Sequence, residues 1–181
     1  MGVIKTYEHD EKGTFRVKVF IPAFGGGQNT VWARLSTSDA GTGHGTYFIP
    51  EIDDEEIVGF LNDDPRHAVI MGSLHHNVNS FPKEFKIEIG SKGIFTKSGH
   101  QLYFDEDQKQ IRIATSDKNE IVIDEKEQHI ALADRHGNHA KLDGSGITIT
   151  SAKDCNIKCK GDFNIDAAGA VTIKGSSVDL I

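Results

Sequence analysis

Cysteine is scarce in this chain. Only Cys155 and Cys159 occur, too few for a disulfide framework. The 4 prolines are too few for a proline-rich linker, and Val, Ile and Phe recur too regularly for a disordered chain. No apolar run is long enough to cross a bilayer as a helix. The N-terminus lacks the charged-then-apolar order of a secretory leader, so export, if it occurs, is expected to rely on other machinery. Basic excess is missing too. Residues 1–85 carry 7 Lys and Arg against 12 Asp and Glu, and residues 86–181 carry 13 against 15. With a formal charge of -7, neither half offers the basic footprint of a phosphate binder, and no nucleic-acid partner is expected.

What the chain does have is glycine, 19 residues of it, between short apolar runs. Residues 15–20 (FRVKVF) alternate as a half-buried strand does, and Pro22 with Gly25, Gly26 and Gly27 ends it. Residues 31–35, 47–49, 57–61 and 68–71 read as further strands, the last two split by Asn62, Asp63, Asp64 and Pro65. Five strands in so short a stretch, without an amphipathic helix, predict an all-β fold with a small closed barrel of OB type over residues 1–76. Residues 77–84 read as a connector.

From Phe85 apolar pairs at i and i+2 recur, mostly nine or ten residues apart: Ile87 and Ile89, Leu102 and Phe104, Ile111 and Ile113, Ile121 and Ile123, Ile130 and Leu132, Ala140 and Leu142, Ile147 and Ile149. The last stretch is stricter. Isoleucine falls at 149, 157, 165, 173 and 181, a period of eight. Two residues earlier stand Ile147, Cys155, Phe163 and Val171; two later stand Ser151, Cys159, Ala167 and Gly175. Odd positions are mostly apolar or small, and even positions mostly polar, so one side of each strand faces a shared interior. Eight residues are too few for one coil of a single-chain solenoid, whose repeats run to about 20 residues or more. They suffice for one face of a prism closed by other chains. The expected architecture for residues 85–181 is therefore an intertwined three-chain β-helix, with Ile147, Ile149, Cys155, Ile157, Cys159, Phe163, Ile165, Ala167, Val171 and Ile173 in the trimer core.

The sequence resembles the VgrG and contractile-tail baseplate spike family. The matching stretches run in order: residues 15–22 (FRVKVFIP), 31–36 (VWARLS), 40–50 (AGTGHGTYFIP), 63–72 (DDPRHAVIMG) and 97–105 (KSGHQLYFD), then the eight-residue repeats. Asp53 stands where family members often have glycine, and the large N-terminal hub domain usual in VgrG proteins is missing from this sequence. The resemblance implies a homotrimeric, membrane-puncturing spike of a type VI secretion or phage-tail-like machine, in transient contact with the target membrane. It implies a PAAR-type tip protein at the C-terminal end, where Val178, Leu180 and Ile181 are the contact residues. An inner-tube or hub protein is implied at the N-terminal end. Such a protein is assembled in the bacterial cytoplasm and injected without a signal peptide, or is virion-associated. About ten strands per chain, at about 4.8 Å each, would make a needle about 50 Å long.

Catalytic and metal chemistry find little footing. Asp53, Asp54, Glu55 and Glu56 are consecutive acids in an expected turn, not a pair set across a cleft. No nucleophile stands at motif spacing from a histidine. His75 and His76 are adjacent and point apart on a strand, and His129, His136 and His139 lack matching ligands at zinc spacing. Buried cysteine in the inward column is explained as a small hydrophobe. No catalytic residue, metal or cofactor is expected. The rival reading is a phage tail-associated β-helix enzyme, a polysaccharide depolymerase or lysozyme-linked spike. It would carry loop insertions, and the repeats after Thr148 have none.

The odd–even pattern makes a sharp test. Ile165→Asp should dissociate the trimer, because it sets like charges in a dry interior, whereas Asp166→Lys should melt like the parent. Trimers of Ile165→Asp as stable as the parent in thermal melts, with Asp166→Lys falling apart, would reverse the assignment.

Overall fold

The computed structural model describes residues 1–7, 15–26, 29–82 and 90–179. The expected Ile87 and Ile89 pair, and Leu180 and Ile181, lie outside the described residues. The chain divides into two compact units, Met1–Phe85 and Lys86–Ile181. Among the described residues the first unit is built of strands and short 3-10 turns and the second of strands joined by turns, with no α-helix in either.

In the first unit five strands close a barrel: β1 (Gly2–Thr6), β2 (Arg16–Phe20), β3 (Thr30–Leu35), β6 (Glu55–Phe60) and β7 (Ala68–Ser73), ordered β1-β2-β3-β7-β6. A two-residue hairpin, β4 (Ala40–Gly41) with β5 (His44–Gly45), stands apart from it. All barrel pairings are antiparallel except β3 with β7. Inward alternation sets the core. Ile4, Val19, Ile21, Ala33, Ala68 and Ile70 are buried, with Val17, Val31, Leu35, Val58 and Phe60 packed against them. Pro22–Phe24 forms a 3-10 turn that ends at Gly25, whose φ of 68° only glycine adopts cheaply. The acidic turn before Pro65 is held by Asp64, whose carboxylate accepts the Arg66 backbone N–H at 2.9 Å.

Five strands close the barrel, but one expected member is replaced. Residues 47–49 are not a strand; they run exposed between the hairpin and buried Pro50, which has no N–H to give a ladder. Their place is taken by β1, whose inward positions begin with Gly2. A Cβ there would strike Val19 and Val58 side chains, so close packing demands glycine and erases the apolar signal of the strand.

The acidic run at the start of β6 does not converge on a cleft. Asp53 pairs with Lys5 at 3.2 Å, Asp54 accepts the Glu51 backbone N–H at 2.8 Å, and Glu55 lies 3.9 Å from His76. Glu56 alone turns inward and is fully buried. Ser73 Oγ donates to its Oε1 at 2.9 Å, while its Oε2 is buried without a partner.

The second unit is an antiparallel meander: β8 (Lys92–Phe95), β9 (Gln101–Asp105), β10 (Gln110–Ala114), β11 (Glu120–Asp124), β12 (His129–Ala133), β13 (His139–Asp143) and β14 (Gly146–Thr150), paired in chain order. Its turns repeat every nineteen residues, one hairpin pair. Gly99, Lys118 and Gly137 share one left-handed turn position, and Lys109 and Gln128 share the other. Asp105, Asp124 and Asp143 cap every second turn, accepting backbone N–H groups of Gln108 at 2.9 Å, Glu127 at 2.7 Å and Ser145 at 2.8 Å. Those amide dipoles hold the Asp124 carboxyl below its usual range and lower that of Asp143 to about 2. Ion pairs then tie turn to turn: Lys92 to Glu106 at 3.1 Å and Lys109 to Glu125 at 3.8 Å.

Burial raises the pKa of Glu56, with Ser73 and Asp54 as smaller influences. A carboxyl raised in the folded state stabilises below its unfolded pKa and loses that contribution as pH rises through the folded value. Glu56→Gln should therefore match the parent near pH 4 and melt a few degrees higher near pH 8. Equal melting temperatures for the two proteins at both pH values would refute the burial cost.

Candidate trimer interface

The meander register brings the apolar pairs into two unbroken columns on one face. One runs Ile94, Leu102, Ile113, Ile121, Leu132, Ala140, Ile149. The other runs Phe104, Ile111, Ile123, Ile130, Leu142, Ile147. The opposite face carries Gly93, Tyr103, Arg112, Val122, Ala131, Lys141 and Thr148 in matching register.

Exposure is inverted relative to a soluble monomer. On the apolar face Ile121 is 41% exposed, Leu132 55% and Ile149 73%. On the other face Tyr103 is buried, its hydroxyl 2.8 Å from Ser91 Oγ, and Arg112, Val122, Ala131 and Lys141 are half-buried. Arg112 lies along its neighbour toward Glu120, with a 2.8 Å ion pair. A groove of about 540 Å³ follows the first apolar column past Ile113, Ile121, Leu132, Ala140 and Ile149, where the small Ala140 leaves room. Covering these half-exposed side chains is worth about 1 kcal/mol each.

The in-chain ladder stops at Thr150. The hydrogen bonds between chains that the sequence pattern suggests from Phe85 on are not needed over 92–150, where strands of one chain bond each other. Beyond, no strand is paired among the described residues. Cys155, Ile157, Cys159, Phe163, Ile165, Ala167, Val171 and Ile173 all stand exposed on the single chain, as does Val178. The start of this stretch is tied back to the preceding turn, where the Asn138 side-chain carbonyl accepts the Ala152 N–H at 2.8 Å. Both cysteines are free thiols. Among the described residues no three His, Cys, Asp or Glu side chains cluster as metal ligands, and no helix is long and apolar enough to cross a membrane.

Sequence reading located the apolar pairs and missed two features. Ile94, which starts the first column, follows a glycine and has no partner at i+2. The nineteen-residue double repeat was legible in the recurrence of Asp105, Asp124 and Asp143, but counting single pairs hides it.

A barrel of OB order joined to a segment with a partnerless apolar face defines a subunit of a multichain structural assembly. Comparison with known families makes this specific. Residues 1–75 match the type VI secretion system/phage-baseplate injector OB domain, and residues 110–180 match the phage baseplate V C-terminal trimerisation domain. The chain belongs to this baseplate spike family of phage tails and type VI secretion.

Among curated relatives, the actin cross-linking toxin VgrG1 of Vibrio cholerae is 40% identical over 77 residues, 40% of this chain and 7% of that protein. The type VI secretion system spike protein VgrG3 of Vibrio cholerae is 35% identical over 71 residues, 37% of this chain and 7% of its own length. The spike protein VgrG1c of Pseudomonas aeruginosa is 30% identical over 117 residues, 59% of this chain and 16% of its own. The chain thus spans a small part of the relatives it matches.

If the apolar columns are the interface, a charge there must break it. Ile121→Asp should cost about 3–5 kcal/mol per chain as an unpaired buried charge and yield monomers by sedimentation. Val122→Thr, one residue along on the opposite face, should leave the mass unchanged. Monomers from the second variant alone would place the interface on the other face.

Proposed function

We propose that this chain is a structural, non-enzymatic spike segment of a contractile injection machine. One observation carries the reading: a sheet whose apolar face is its more exposed face continues into eight-residue repeats that have no strand partners of their own. Both deficits are met by two further copies. Three meander faces turned inward bury the paired columns against one another. Past Thr150 the three chains pair with each other, which supplies partners for backbone groups that one chain leaves bare.

In this reading residues 1–76 form the barrel, 77–84 the connector and 85–181 the shaft. Ile147, Ile149, Cys155, Ile157, Cys159, Phe163, Ile165, Ala167, Val171 and Ile173 face the axis. Seven strands spaced about 4.8 Å apart give the meander a length of about 29 Å, and the repeats extend it. A rod made this way is narrow and laced by hydrogen bonds across its width, which suits a part driven through a membrane. The names of the matched relatives, spike proteins of type VI secretion, support the same role. By likeness to that family, a PAAR-type protein caps the end at Val178, Leu180 and Ile181, and a hub or inner-tube protein holds the barrel end. The protein is then assembled in the bacterial cytoplasm and leaves it by injection, or is carried in a virion, touching the target membrane only in passing.

Light scattering on the purified chain should give three times the 19.8 kDa of one copy. A stable monomer at micromolar concentration would sink the proposal.

A further inference from the structure

The barrel unit carries an apolar feature that the shaft does not explain. Residues 46–50 lead from the β4–β5 hairpin to buried Pro50, fixed at one end by the Thr46 N–H to Asp39 carbonyl bond of 2.9 Å. At the other end the Tyr7 hydroxyl donates to the Pro50 carbonyl. Tyr47 and Ile49 line a groove of about 1040 Å³ whose wall also includes Phe15, Val17, Leu35 and Pro50. Phe48 lies between them, does not line that groove, and is 59% exposed. Each barrel thus bears an apolar knob, Phe48, outside an apolar hole that its neighbours on the same arm help to line.

We propose that Phe48 of each copy seats in the Tyr47 and Ile49 groove of the next copy, closing a ring of three barrels. The inference rests on the trimer proposed above. A cyclic trimer cannot be built from a self-complementary patch; it needs two different patches that fit each other head to tail. An exposed knob and a separate groove are two such different patches. The tether also favours this occupant over an outside partner. The stretch from Ser73 to Lys92 reaches at most about 65 Å even when fully extended. Barrels tied so closely to one shaft meet at an effective concentration in the millimolar range, where a single aromatic contact suffices.

The test places the photo-crosslinker benzoylphenylalanine at Phe48 in the full chain, with Ile57, an exposed barrel residue outside the groove, as the control position. Irradiation should convert the position-48 protein to covalent dimers and trimers on denaturing gels, and leave the position-57 protein as single chains. Peptide mapping should find position 48 joined to residues 15–17, 35–37 or 47–51 of another copy. Phe48→Ala should keep the trimer mass and lower the melting temperature of the barrel. A protein that scatters light as a trimer but crosslinks only within single chains, or to any other surface, overturns the ring while leaving the spike standing. A protein that scatters as a monomer overturns both.

Discussion

Everything in this chain turns on an apolar surface that one copy has no means of burying. Ile111, Ile113, Ile121, Ile123, Ile130 and Leu132 sit at neighbouring register positions on consecutive strands, and each is more than a third exposed. A monomer would hide such a face under a helix or a second sheet. This sequence supplies neither among the described residues. It supplies hairpin turns capped by aspartates, which make the sheet regular and give its face a constant width. The turn chemistry and the interface are therefore one design: a nineteen-residue unit repeated so that every copy of the pair lands on the same face.

The two parts of the shaft solve the backbone problem differently. From β8 to β14 each strand bonds its chain neighbours, and only side chains are left wanting. After Thr150 glycine and small residues enter the inward columns at Gly161, Ala167, Gly169 and Gly175, and strand pairing within the chain ends. In the proposed trimer, small residues at these positions would let the backbones approach the axis closely. In the proposed trimer the backbone partners of this segment come from the other copies.

Much of this was legible in the sequence because strands and octads are period-two patterns, and a side chain's face follows from counting. Ile121 with Ile123, or Ile130 with Leu132, could be assigned to one face before any coordinates. What was not legible depended on close approach. Gly2 hides the first barrel strand because its inward neighbours leave no room for a side chain. Tyr47, Phe48 and Ile49 carry a strong strand signal and yet form no strand among the described residues, because Gly45 and Pro50 set the path of the arm. Glu56 was read with Asp53, Asp54 and Glu55 as one acidic turn, yet it alone is fully buried, since periodicity alone does not weigh a charge against burial.

The barrel and the shaft also differ in what they ask of electrostatics. The barrel buries one carboxyl, Glu56, at a cost that grows with pH, while the shaft holds its turn carboxylates in the charged form by backbone N–H groups and cross-turn cations. The sign is opposite in the two cases. Depressed carboxyls such as Asp143 contribute stability above their unfolded pKa and lose it only as pH falls toward about 2. Acidification therefore relieves the barrel before it reaches the shaft.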